Sequence, residues 1–219
     1  MLTDSELDQT CEVLIKHEGL IPWLYCCTKG FVTVGVGDKV SPKTVLTMPF
    51  VHLLDGSHAM TEEKSQAFIR VQNHFAKGLT AGDYRVCSDL RLDEEFCNRR
   101  LRSRIKSEFV PAIEKHCPLF ANYPTRVKFV LVDIVYNVGV VGFAAFDQLI
   151  IDCNSLQFSK AAEQVHTQKE GEDPRDPKTW GRRNTWRRNT MLLAHSAQVT
   201  LTANSIDRLS IAQATKGNR

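Results

Sequence analysis

No stretch of this 219-residue chain is apolar for long enough to span a bilayer, and none is rich enough in glycine, serine or proline to separate independent domains. The expected organisation is one domain, residues 1–202, built of two lobes and without a membrane span. The opening residues, MLTDSELDQTCEVLIKHEG, carry Asp4, Glu6 and Asp8 and lack a continuous apolar core, so they read neither as a secretion signal nor as an anchor. The chain is expected to be made in the cytoplasm without a signal peptide, and to need non-classical export or lysis-linked release if it acts elsewhere. An excess of one charge is also missing. The 28 basic and 25 acidic side chains leave +3, too little to argue for nucleic acid from the total, though compatible with an anionic polymer. Cysteine is present without pattern: seven at irregular spacing, with no CxxC and no repeated Cys/His interval, describe neither a disulfide framework nor a zinc site. Most are expected to be reduced and structural, and no metal or cofactor is expected.

What the chain does contain is helical periodicity around one short hairpin. Thr3 or Asp4 can cap a first helix with Leu7, Cys11, Leu14 and Ile15 on one face, ending at Glu18-Gly19. WLYCC and FVTVGVG read as two strands around the turn TKG. Residues 39–60 read as irregular, a helix is expected from Thr61, and 78–89 read as a loop. Residues 92–117 form a long helix interrupted near Pro111. In 123–143, Val127, Val130, Leu131, Ile134 and Val138 follow helical spacing, which predicts a central buried helix. Two short helices, a loop over 169–179, a basic helix from Trp186 and a weakly ordered tail over 203–219 complete the reading. The fold class is α+β, mainly helical, with a small hairpin lobe over about 18–90 and a helical lobe over about 91–202 that includes the N-terminal helix.

Cleaving a glycosidic bond needs a proton donor to the leaving oxygen and a second group on the other face of the sugar. Glu18 is a donor candidate: it ends a helix beside Leu20, Ile21, Pro22 and Trp23, the apolar setting in which desolvation keeps a carboxyl protonated. If Cys27 pairs opposite Phe31, alternation puts Tyr25, Cys27, Thr33 and Gly35 on one face and Cys26, Val32 and Val34 on the other. Cys27 is then the site-facing thiol, and a one-residue change in the loop would reverse the choice. Gly35 and Gly37 would keep that face low enough for a polymer to approach.

Glu18, position 27 and Thr33, with HEG before and TVGVG after, resemble the first motif of the phage-type (T4-like) lysozymes, glycoside hydrolase family 24. That motif has a catalytic glutamate, an aspartate nine residues on and a threonine six beyond that. VDIVYNVGVVGF is similar to the family's FNVG helix and turn, with Asn137, Val138 and Gly139 retained. TWGRRNTWRRNTMLLA is similar to its C-terminal element, with Arg187 and Arg188 at the paired arginines. The resemblance covers residues 5–38 and about 92–195, and leaves 39–90 as an elaborated small lobe. It implies a lysozyme-like two-lobe fold, hydrolysis of the β-1,4 bond between N-acetylmuramic acid and N-acetylglucosamine in peptidoglycan, Glu18 as the acid, and position 27 with Thr33 placing water.

The departure is Cys27, where the family has aspartate. A thiol is a poorer general base than a carboxylate unless its pKa falls, although a thiolate can still place charge or hold water near the reacting carbon. Cys27 can also be read as a small strand residue, and Asp38 as a substitute carboxylate. Oxidation of Cys27 would switch such an enzyme off. Substrate-binding candidates are Tyr25, Gly35 and Asn137, the last equally readable as a turn cap; Tyr136 reads as core. Arg182, Arg183, Arg187 and Arg188, interleaved with Trp180 and Trp186, admit a nucleic-acid reading, but salt bridges and core packing are the stronger expectation, so no nucleic-acid partner is expected. The partners expected are peptidoglycan glycan strands, acted on in the periplasm, with an immunity protein or secretion-system component if the chain is an interbacterial toxin. A phage endolysin is the other setting, and a catalytically inactive module that binds wall or a partner protein is the alternative from another class.

Overall fold

The computed structural model describes residues 1–167, 173, 176, 178 and 181–197. It is mainly helical with two small antiparallel sheets and divides into two compact units: Leu7–Arg104, which holds the hairpin, and Met1–Glu6 with Ile105–Arg219.

Helix α1 (Asp4–Glu18) starts at a reciprocal cap. Thr3 Oγ1 accepts from Glu6 N at 3.2 Å, while the Glu6 carboxylate accepts from Thr3 N at 2.9 Å. It ends where Gly19 N donates to Ile15 O at 2.8 Å. Strand β1 (Ile21–Cys26) pairs with β2 (Val32–Gly35), and β2 with β3 (Asp38–Lys39). Tyr25 lies opposite Thr33 and Cys26 opposite Val32; a bulge then intervenes before Ile21 meets Gly35. Cys27 N donates to Phe31 O at 2.9 Å and Gly30 N to Cys27 O at 2.8 Å. Gly30 at φ +78° supplies the left-handed residue that a three-residue hairpin loop requires. Leu24, Cys26, Val32 and Val34 face a core completed by Val45, Met48, Phe50, Phe68, Val71 and Tyr84.

Residues 39–60 are more regular than expected. Helix α2 (Pro42–Thr47) is capped by Ser41 Oγ, which accepts from Thr44 N at 3.1 Å, with Pro42 in its first turn. Strand β4 (Val51–His52) pairs with β5 (Leu90–Arg91). Elements of two to six residues are too short to repeat a pattern, which is why spacing alone does not reveal them. Helix α3 (Thr61–Asn73) starts as expected. The stretch read as a loop over 78–89 contains a 3-10 helix, Ala81–Cys87, capped by Thr80 and Asp83.

The long helix expected over 92–117 is α4 (Glu94–Arg104), a π-helical turn (Ile105–Phe109) and α5 (Val110–His116). Pro111 sits in the first turn of α5, where its missing N–H costs nothing, and the widened turn precedes it. The lobe boundary expected near 90 falls instead after Arg104. Helix α4 belongs with the hairpin because Arg100 and Arg104 both hold the Asp38 carboxylate and Cys97 packs at Gly35.

In the other unit, α6 (Thr125–Phe143) buries Val127, Val130, Leu131 and Ile134 completely, leaves Val138 half-buried, and kinks at Gly139. Helices α7 (Asp147–Asn154), α8 (Phe158–Ala161) and α9 (182–197) follow. Glu6 is locked here by Lys128 Nζ at 2.9 and 3.1 Å and Thr125 Oγ1 at 2.9 Å. The tail over 203–219, Trp180 and most of the expected 169–179 loop lie outside the described residues. Among the described residues no single helix is long and apolar enough to cross a membrane.

Candidate active site

Five of the six candidate residues come from one short segment of the hairpin unit. Glu18 is the last residue of α1, half-buried, with Gly19 and Leu20 between it and the start of β1 at Ile21. Along β1 and into the turn, burial alternates: Leu24 and Cys26 are buried, whereas Trp23, Tyr25 and Cys27 are half-exposed. The parity that selects Cys27 over Cys26 is thus the parity of the fold. Cys26 points into the core, its Sγ 3.4 Å from Val71 O, and its thiol is raised by burial. Cys27 is half-buried, and every other cysteine of the seven is buried.

Thr33 is buried across from Tyr25, and its Oγ1 donates to Phe31 O at 2.8 Å. The same carbonyl accepts from Cys27 N. Thr33 Oγ1 and the backbone of Cys27 are therefore fixed on one atom, and the hydroxyl, having donated its proton there, keeps its lone pairs to accept from a water. Tyr25 has its phenol pushed up to about 12, first by burial and then by the negative charges of Glu18 and Cys27. That electrostatic coupling ties Glu18, Tyr25 and Cys27 to one neighbourhood. Such a set holds one carboxyl, one accessible thiol, one phenol and one hydroxyl, which suffices for proton donation and for holding a water.

Two candidates stand apart. Gly35 is buried at φ +65°, and a Cβ there would lie 3.4 Å from Cys97 Sγ. Glycine suits this position for its left-handed backbone conformation, and Cys97 of α4 packs over it, so it opens no floor for a polymer. Asn137 is exposed on α6, two residues before the kink, in the other unit. Its neighbour Tyr136 packs edge-on against Phe109, ring centres 5.9 Å apart, as a core tyrosine would. Asp38 is buried and gripped by Arg100 and, at 3.2 Å, by Arg104, so its carboxylate is already engaged in holding β3 to α4.

Three of the four arginines singled out near the C-terminus meet acids. Arg183 reaches Asp133 Oδ1 at 2.8 Å, the fully buried Arg187 reaches Asp133 Oδ2 at 2.6 Å and Thr167 Oγ1 at 2.7 Å, and Arg188 reaches Glu163 at 2.7 Å. Arg182 is exposed. Sequence reading passed over a different basic group, Arg85 and Arg91, which flank Trp23 at 4.1 and 5.2 Å from its ring centre. The alternation of Trp23 with Tyr25 and Cys27 is the signal that could have marked that face. Among the described residues no three His, Cys, Asp or Glu side chains converge to hold a metal ion. The chain matches no protein-family model and no curated protein.

Proposed function

We propose that the protein is a peptidoglycan-degrading muramidase of lysozyme-like fold, cleaving the β-1,4 bond between N-acetylmuramic acid and N-acetylglucosamine. Glu18 protonates the leaving oxygen, and Cys27 with Thr33 positions or activates the attacking water. Tyr25 contributes to strand binding. The observation that carries this reading is the hairpin register: Tyr25 lies opposite Thr33, the Cys27 amide and the Thr33 hydroxyl meet on the Phe31 carbonyl, Glu18 is within electrostatic reach of Tyr25, and Cys27 is the one half-exposed thiol. The spacing of Glu18, Cys27 and Thr33 supports it independently. A thiol at this place acts less by removing a proton than by holding water and, as thiolate, by placing negative charge beside an oxocarbenium-like carbon. The protein works on the periplasmic wall, as an interbacterial toxin opposed by an immunity protein or as an endolysin released at lysis.

The second reading, a non-catalytic module that binds wall or a partner protein, is favoured by one observation: Cys27 stands where a carboxylate is expected, and Asp38, the nearest substitute in sequence, is engaged by two arginines. Purified peptidoglycan incubated with the protein separates the two. The enzyme produces new muramic-acid reducing ends, and Glu18→Gln lowers their rate by about 10²- to 10⁴-fold. The module binds wall and produces none.

A further inference from the structure

Trp23 is held by the hydrogen bond from its Nε1 to Ala81 O at 2.8 Å, which fixes the ring between the 3-10 helix and β5. Each of those elements sends one arginine onto it. The Arg85 guanidinium carbon lies 4.1 Å from the ring centre and that of Arg91 5.2 Å. The two cations are close enough that the Arg91 pKa is lowered, first by burial and then by the charge of Arg85, with Asp89 opposing. Like charges gathered on one side chain are unfavourable unless something of opposite sign joins them. Yet among the described residues neither arginine makes an ion pair with a carboxylate, and Arg85, which is exposed, makes no hydrogen bond at all. Arg91 uses only Nη1, donating to Ser88 O at 3.0 Å and Leu90 O at 2.7 Å, which leaves Nε and Nη2 for a ligand. The stacking orients a planar donor fork without using its N–H groups, the arrangement that suits bidentate recognition of an oxyanion. Trp23, Tyr25 and Cys27 are the half-exposed residues that alternate with buried Leu24 and Cys26, and Trp23 sits in the bulge between Ile21 and Tyr25.

We propose that Trp23, Arg85 and Arg91 form a carboxylate-binding site that takes the acidic stem peptide carried by a peptidoglycan strand lying along the Tyr25–Cys27 edge. This rests on the wall polymer being the ligand, and it adds that the protein distinguishes peptide-bearing from bare glycan. The test is co-sedimentation of the full chain carrying Glu18→Gln, which leaves strands uncut, with two probes freed of phosphate polymers: intact peptidoglycan, and the same strands stripped of peptide by an amidase. Intact strands bind about 5- to 20-fold more tightly than stripped ones. Arg85→Ala removes most of that difference without changing affinity for stripped strands, and Arg85→Lys, a charge without the planar fork, restores only part. Arg85 is exposed and free of hydrogen bonds, so this variant leaves the fold intact; Arg91→Ala is the second variant. Equal affinity for the two probes, or an Arg85→Ala loss shared equally by both, overturns the site. Peptide-dependent binding with no cleavage by the unsubstituted chain would overturn the muramidase and keep the site. Cleavage indifferent to peptide would do the reverse.

Discussion

Two groups of arginines are partnered differently in the two units. In the helical unit, Arg183, Arg187 and Arg188 each meet a carboxylate, and Arg187 is completely buried. In the hairpin unit, Arg85 and Arg91 crowd one tryptophan and meet no carboxylate among the described residues. The number of arginines does not distinguish the groups; the availability of an acid does. Asp133 lies 54 residues before Arg187 in the chain, so the fold, not local sequence, decides which cluster meets carboxylates and which does not.

The contrast can be broken most sharply by deletion. Arg187→Ala removes one of the two arginines that hold Asp133, a carboxylate with no exposure to water, and stability should fall by about 3–5 kcal/mol in denaturant titration. Arg85→Ala should change it by no more than about 0.5 kcal/mol. Equal losses would erase the distinction. Gly35→Ala should cost about 1–2 kcal/mol, because the left-handed backbone conformation at φ +65° opposes a side chain, whereas Cys97 Sγ at 3.4 Å leaves ordinary contact distance for a methyl; a neutral result would mean that the strand end relaxes without cost.

A smaller effect comes from Glu6. Burial raises its pKa, but hydrogen bonds from Lys128, Thr3 and Thr125 outweigh that and hold it below the ordinary value. A depressed carboxyl contributes stability that is intact above its ordinary value of about 4.3 and is lost as pH falls through the folded one. Melting temperature should therefore drop below about pH 4, and Glu6→Gln should flatten that drop while lowering the neutral plateau. An unchanged acid slope in the variant would assign the acid sensitivity elsewhere. Smallest in energy but sharp in readout is thiol labelling of the native chain. Cys27 should react first, since burial pushes Cys11, Cys97 and Cys117 up to about 11. Cys27→Ala should remove the fast phase; its persistence would place the reactive thiol elsewhere.

The hairpin was legible because its information is local. Phe31 opposite Cys27, the glycine in the turn and the two-residue alternation all lie within a dozen residues, and they separate Cys26 from Cys27 correctly. The central helix was legible through Val127, Val130, Leu131 and Ile134. What escaped depends on partners distant in sequence. Gly35 looked like open floor until α4 brought Cys97 against it, and Asp38 looked like a substitute carboxylate until Arg100 and Arg104 reached it. On either side of α3, residues 39–60 and 78–91 carry elements too short to repeat a pattern, and with them Arg85 and Arg91, whose meeting on Trp23 requires the 3-10 helix and β5 to be in place.

The central claim, that Glu18 and the Cys27–Thr33 pair form a working hydrolytic site, is tested most directly on purified peptidoglycan. The reducing ends released by the unsubstituted chain, by Glu18→Gln and by Cys27→Asp should be identified and counted. The account predicts muramic-acid ends from the first, a loss of about 10²- to 10⁴-fold in the second, and activity retained or increased in the third, where a carboxylate replaces the thiol. Wall binding without any new reducing ends, in the unsubstituted chain and in Cys27→Asp alike, would contradict it.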